Sequence, residues 1–450
     1  MNNKNDFKEK SNILFISNEQ INIEAEEFKI KAKEFKKDKK FNKQKIREKV
    51  EPWLTAVFQS EHLSLLIGSG LSIALSGNGS MMKRIKFSGN YKDIIKQKAD
   101  DEAKKMERGV ANFEDDLRIA IELLKGYEII GNNDEEKLKI EINKKIKRLL
   151  KSILENEKKF LNTESNKSQN NKNDNQTNND RHLLRLLENF LLSFSTRTAT
   201  RDRLNIFTTN YDRFIELGLD EAGILTLDRF IGKLKSIMRF HRIELDYHYN
   251  PPGIRGEPRY VEGVVRYTKL HGSVDWQFKD GQIIKIPLPF GADVNNDFFN
   301  DPYNKVVIYP NSGKAIETAF FPYSELFRDF STAICRTNSV LVTYGYGFGD
   351  SHINRIIKDM LTIPSTHLVI ISYDLAQDRI SKFIEKCNES QLTLLIGKEL
   401  GNFENLANYY LPKPAIDRIT DRQARLLEKR KVVSQSDSQD KDSKNEEDNE

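Results

Sequence analysis

The sequence predicts an α/β fold, a parallel sheet interrupted by a large inserted helical subdomain. Three observations carry that expectation. Short apolar runs at residues 63–67, 204–207, 340–344, 368–372 and 392–396 have the length and composition of buried strands. Most of them run into glycine or small polar residues, as strands do before a turn. Sequence of helical period, at about residues 82–200, separates the first run from the second.

Taken in order, residues 1–55 read as a basic helical arm, with 14 Lys/Arg against 9 Asp/Glu in the first 50. The run at 63–67 ends in Gly68, which marks a strand entering a tight turn. In the insert, Phe113, Leu117, Ala120, Ile121 and Leu124 share one helical face. Ile142, Ile146, Leu149 and Ile153 share another. Residues 162–180 hold eight Asn and no apolar residue, the composition of a flexible loop between two helices. Leu183, Leu186, Leu187, Phe190 and Leu191 resume the helical pattern. After the run at 340–344, Asp350 is placed to cap a helix whose face carries Ile353, Ile356, Ile357, Met360 and Leu361. Residues 56–415 thus form the principal domain, with the insert at 82–200. Residues 416–450 are expected to be a helical end and a disordered acidic tail, since 434–450 contain only Ser, Gln, Asp, Lys, Asn and Glu.

Composition narrows the function classes. The chain has 450 residues, 72 Lys+Arg and 67 Asp+Glu, a formal charge of +5, too small an excess to argue for nucleic acid. The Lys-rich stretch Lys36, Lys37, Lys39, Lys40, Lys43 and Lys45 is a candidate nucleic-acid contact, against which its interleaved acids weigh. No run reaches the ~18 apolar residues of a membrane span. The first residues lack the apolar core of a secretory signal. Cys335 and Cys387 are the only cysteines, which excludes a disulfide framework and a multi-cysteine zinc site. The expectation is a soluble cytoplasmic protein that needs no metal. His241 and His248, seven apart, read as a solvated or substrate-side segment.

Four motifs at strand ends could carry chemistry. Gly68-Ser69-Gly70-Leu71-Ser72 follows a strand and would let backbone N–H groups approach phosphates, although an ordinary strand-to-helix turn has the same look. Thr208-Thr209-Asn210-Tyr211-Asp212 places small polar residues where open α/β sheets bind ligands, or it caps the next helix. His271-Gly272 offers a general base near neutral pH, or a structural histidine. Gly345-Tyr346-Gly347-Phe348-Gly349-Asp350-Ser351-His352-Ile353-Asn354 alternates glycines before a capped helix, as a second phosphate or ribose loop would.

In this order, the four motifs resemble those of the sirtuin-like NAD-binding family, read there as Gly-Ala-Gly-x-Ser, Thr-Gln-Asn-x-Asp and His-Gly. The late motif resembles the divergent bacterial antiphage-defence branch of the HerA-associated type, and so do Phe113-Glu114 and Tyr309-Pro310. The resemblance spans about residues 60–375. Thr209 stands in place of the usual Gln, and Ser69 in place of the usual Ala. The four-cysteine zinc module of the deacetylating members has no counterpart.

The resemblance implies a Rossmann-like parallel sheet and an NAD+ glycohydrolase that drains NAD+ in defence against phage. It implies catalytic roles for Asn210, His271 and Asp212. It implies dinucleotide contacts from Gly68, Ser69, Gly70, Ser72, Thr208 and Thr209, with Gly345, Tyr346 and Asp350 on the adenosine side. An oligomer and a separately encoded HerA-like hexameric ATPase are the implied partners. Protein deacylation or ADP-ribosylation, and a non-catalytic NAD-sensing scaffold for an ATPase, are the alternatives.

Overall fold

The computed structural model describes residues 11–16, 19–24, 43–77, 84–105, 111–170, 182–198, 200–239, 246–249, 259–293, 299–308 and 322–413. Nine strands form the main sheet: β1 (Ser11–Ile16), β2 (Glu19–Glu24), β3 (His62–Ile67), β4 (Asn205–Thr208), β5 (Leu225–Leu227), β6 (Val264–Lys269), β7 (Ser339–Tyr344), β8 (His367–Ser372) and β9 (Leu392–Ile396). Their spatial order is β2-β1-β9-β8-β7-β3-β4-β6-β5. The seven strands from β9 to β5 are parallel, and β1 and β2 continue the sheet antiparallel at one edge. This is the α/β, Rossmann-like architecture that the apolar runs predict.

The strands read as unbroken apolar runs because both faces of the sheet are covered. Leu63, Leu65 and Ile67 of β3 enter one core with Val340, Val342 and Tyr344 of β7. Leu66, Leu341, Leu368 and Ile370 point the other way, into a second core against the helices Tyr323–Ile334 and Ser351–Leu361. The first core is closed by α1 (Lys43–Phe58), α2 (Ser69–Ser76), α6 (His182–Ser195) and α7 (Phe214–Glu221).

The chain runs from β3 through β4 to β6 on one side, then returns to lay β7, β8 and β9 on the other. The direction of winding therefore reverses between β3 and β7. In open α/β sheets that reversal opens a crevice outside the carboxyl ends of the strands, where ligands bind.

The insert supplies α3 (Lys92–Lys105), α4 (Phe113–Ile130), α5 (Glu135–Asn170) and α6 between β3 and β4. Asn112 caps α4 in a reciprocal pair with Asp115, which fixes where that helix begins. A third core holds the periodic faces read from sequence, including Leu117, Leu124, Ile142 and Ile153. A five-stranded antiparallel sheet, with Gly272–Lys279 as its second strand and Gln282–Lys285 at its centre, branches off directly after β6. No helix among the described residues is long and apolar enough to cross a membrane.

Three local expectations need correction. Residues 11–16 and 19–24 of the supposed helical arm are strands: Ile13, Leu14 and Phe15 pair with β9 and bury on alternate faces, which outweighs the surrounding charge. The arm is also not separate past residue 43, because Ile46, Val50 and Leu54 of α1 belong to the first core. The Asn-rich segment stays helical as far as Asn170, propagated from the long amphipathic α5 that precedes it. Residues 171–181, the segment 414–450, His241 and Tyr309-Pro310 lie outside the described residues.

One buried ion pair ties the insert to the sheet. Glu157 of α5 is fully buried and accepts from the backbone N–H, Nε and Nη2 of Arg213, and from the Gly291 N–H. Arg213 also donates to the carbonyls of Leu288 and Pro289. Removing the acid strands a buried guanidinium and two backbone donors. Glu157→Ala is expected to cost about 3–5 kcal/mol of stability, measured as the shift in urea unfolding of the full chain.

Candidate active site

Every sequence-predicted site residue except Thr208 lines one cavity of about 890 Å³ at the carboxyl ends of the parallel strands. Its floor is a contact between the two glycine loops at the winding reversal. Gly68 N–H donates to the Tyr344 carbonyl and Gly70 N–H to the Gly345 carbonyl, both at 3.0 Å. A Cβ on Gly70 would sit 2.5 Å from Gly345 Cα, and one on Gly345 would sit 2.6 Å from Gly70 Cα. Gly345 also has φ +59°, left-handed backbone that other residues avoid. These glycines therefore let two loops meet backbone to backbone.

Asn210 follows β4 and is buried. Its Nδ2 donates to the Gly68 carbonyl (3.0 Å) and to Ser72 Oγ (2.9 Å). Ser72 Oγ in turn donates to Asp212 Oδ2. With the amide nitrogen committed, the Asn210 carbonyl oxygen is the group left to accept from a ligand. Thr208 lies beneath the cavity. Its hydroxyl donates to the Ile67 carbonyl (2.9 Å) and accepts from the Asn210 N–H (3.1 Å), so it shapes the loop without facing the cavity.

Burial pushes the Asp212 carboxyl up to about 6, against the opposing pull of nearby Lys269 and the Ser72 hydrogen bond. Lys269 Nζ reaches the Asp212 and Tyr211 carbonyls and Glu216 Oε1. Asp212 is therefore mostly ionised at pH 7.

His271 stands at the junction of the two sheets, two residues past Lys269 at the end of β6. Gly272 follows with φ +84°, the left-handed turn that redirects the chain into the second sheet. The His271 Nε2 lies 3.0 Å from Asp350 Oδ2. The other Asp350 oxygen accepts from the His352 and Ile353 N–H groups and caps the Ser351–Leu361 helix, as predicted. The sequence reading puts Asp350 on the adenosine side; in the structure its carboxylate also meets the histidine across the winding reversal. Against an ionised carboxylate Nε2 is the donor, so the neutral ring carries its lone pair on Nδ1.

Tyr346 is buried, its hydroxyl 3.0 Å from Asn354 Oδ1 and 3.3 Å from the Asp350 carbonyl. This fixes the second glycine loop against the helix after it. Burial raises the Tyr346 hydroxyl well above its ordinary value, so it stays protonated.

Sequence reasoning missed the far end of the cavity. Ser372 at the end of β8 and Tyr373 and Asp374 just after it, with Arg379, Phe403 and Glu404, line it there. The signal was available, since Ser372-Tyr373-Asp374 ends an apolar run as the other motifs do. From His271 above β6 to Asp374 above β8 the cavity crosses four inter-strand spacings, roughly 19 Å. The insert contributes Asn112, Glu114, Leu149, Ile153 and Leu186 to the same walls. Among the described residues, no group of three or more His, Cys, Asp or Glu could hold a metal ion.

The raised Asp212 carboxyl has a measurable consequence. Between about pH 4 and pH 6 the native state holds a proton on Asp212 that the unfolded chain has lost. Its contribution to stability therefore falls as pH rises through that window. Asp212→Asn is expected to remove that component of the slope, seen by comparing urea midpoints of both proteins at pH 4.5 and pH 7.

No curated protein matches the chain. Residues 204–391, from the run into β4 to the residue before β9, match the family model described as SIR2-like domain. The match takes in Asn210, Asp212, His271 and Asp350, and it supports a sirtuin-like family, hence NAD-related chemistry, for this chain.

Proposed function

We propose that the protein is an NAD+ glycohydrolase, cleaving NAD+ with water to nicotinamide and ADP-ribose. The observation that carries the reading is the convergence of Asn210 and His271, 61 positions apart, on one elongated cavity whose floor is two glycine loops. A cavity of this length and volume suits a two-base nucleotide lying across the strand ends. The glycine loops would face the diphosphate, the β4–β6 side the nicotinamide riboside, and the β8–β9 side the adenosine.

The reaction breaks the bond between ribose C1′ and the pyridinium nitrogen, whose electron pair leaves with neutral nicotinamide. Positive charge develops on the ribose as the bond lengthens. The Asn210 carbonyl holds the attacking water or a ribose hydroxyl in the reactive pose. His271 takes the water's proton as its oxygen bonds to C1′. Asp350 orients the imidazole, and ionised Asp212 holds Ser72, which in turn holds Asn210.

The resemblance of the Gly345–Asn354 segment to the defence branch supports a wider reading, in which the activity depletes cellular NAD+ during phage infection. A separately encoded HerA-like ATPase and self-assembly would then govern it. Co-purification with neighbouring gene products tests that part.

Following NAD+ and its products by chromatography tests the chemistry. The full chain, alone or with its partner, is expected to release free ADP-ribose. Acetyl-ADP-ribose or labelled protein would point to acyl or ADP-ribosyl transfer. His271→Ala is expected to lower turnover by about 10²–10⁴-fold while NAD+ still binds. Asp350→Asn keeps a good helix cap but allows the wrong histidine tautomer, so kcat is expected to fall by about 10²-fold or more with little change in binding.

A further inference from the structure

The first turn of α4 carries three successive acids, Glu114, Asp115 and Asp116, and each has a different task. Asp115 closes the capping box with Asn112. Asp116 binds Arg84 and the Ile85 N–H. Glu114 lines the cavity, and its Oε1 accepts from the Tyr211 hydroxyl at 2.8 Å.

Tyr211 sits between Asn210 and Asp212, its ring centroid 6.3 Å from that of His271. This places the Glu114 carboxylate at the β4–β6 end of the cavity. Burial, and then the neighbouring Glu114, push the Tyr211 hydroxyl well above its ordinary value, so it remains a donor. Among the described residues Glu114 forms no ion pair. A carboxylate held by a neutral phenol at one end of a cleft that is only partly open to solvent attracts a cation, more strongly than it would in open water. The other acids there have prior partners: Asp350 pairs with His271, and Asp212 lies under Ser72 near Lys269.

We propose that Glu114, contributed by the inserted helices, reads the positive charge of the ligand's ring and so selects the oxidised dinucleotide over the reduced one. This rests on the dinucleotide reading above. NAD+ carries a cationic pyridinium and NADH a neutral dihydropyridine of nearly the same shape, so a carboxylate beside the ring separates them by charge alone. The same carboxylate would face the positive charge that builds on the ribose as nicotinamide leaves.

Calorimetric titration of the full-length protein with NAD+ and with NADH tests this without requiring turnover, using His271→Ala as background if NAD+ is consumed. Wild type is expected to bind NAD+ more tightly. Glu114→Gln, which keeps an acceptor for Tyr211 but not the charge, is expected to weaken NAD+ by about tenfold and leave NADH nearly unchanged. Tyr211→Phe, which keeps the charge but drops the tether, is expected to retain most of the preference. Equal weakening of both nucleotides by Glu114→Gln, or equal affinities in the wild type, would overturn the assignment and leave the dinucleotide reading standing. Binding of neither nucleotide to wild type would overturn that reading and this proposal with it.

Discussion

The structure depends on one close contact, the meeting of two glycine loops where the sheet reverses its winding. Strands β3 and β7 are neighbours although more than 270 residues separate them, and their carboxyl-terminal loops must pass each other. Side chains would hold the loops apart, since a Cβ on Gly70 or Gly345 would lie closer to the facing backbone than real Cβ atoms come. Glycine lets the Gly70 N–H reach the Gly345 carbonyl. The crevice above that seam then has a floor made of backbone.

A chain of buried hydrogen bonds extends from the seam toward the β4–β6 side. The Gly68 carbonyl holds Asn210, Ser72 links Asn210 to Asp212, and Thr208 steadies the turn from below. Burying an acid and an amide in this way is unfavourable unless each finds partners, and here each does. What results is orientation, because the amide cannot flip without stranding two hydrogen bonds. His271 comes to the same cavity from the junction between sheets, and Asp350 comes from the opposite side of the seam. That bond therefore spans the winding reversal and couples the two halves of the crevice.

The inserted helices are part of this arrangement. Glu157 of α5 locks Arg213 just beyond Asp212, while Glu114 of α4 bonds Tyr211 just before it. The loop that carries Asn210 is thus held by the insert at two residues, one on each side of Asp212.

Much of the fold was legible in the sequence because its signals are local. A strand buried on both faces must be apolar throughout, and a helix on a core must repeat its apolar residues every three or four positions; the runs at 63–67 and 340–344 and the stripes of the insert obey these rules. The candidate site residues stood out because strand ends with glycine and small polar residues are visible as such. The paired strands β1 and β2 were hidden because they are short and flanked by charge, and only pairing of β1 with β9 and of β2 with β1 makes them strands. The placement of Asp350 was hidden for a related reason. Which residue of a loop reaches which neighbour depends on strand order, and strand order is set by contacts between segments far apart in the chain. Sequence alone determined the alternation of strands and helices and the chemistry at their ends. Tertiary structure decided which ends meet, because only packing brings β3, β4, β6 and β7 to one crevice.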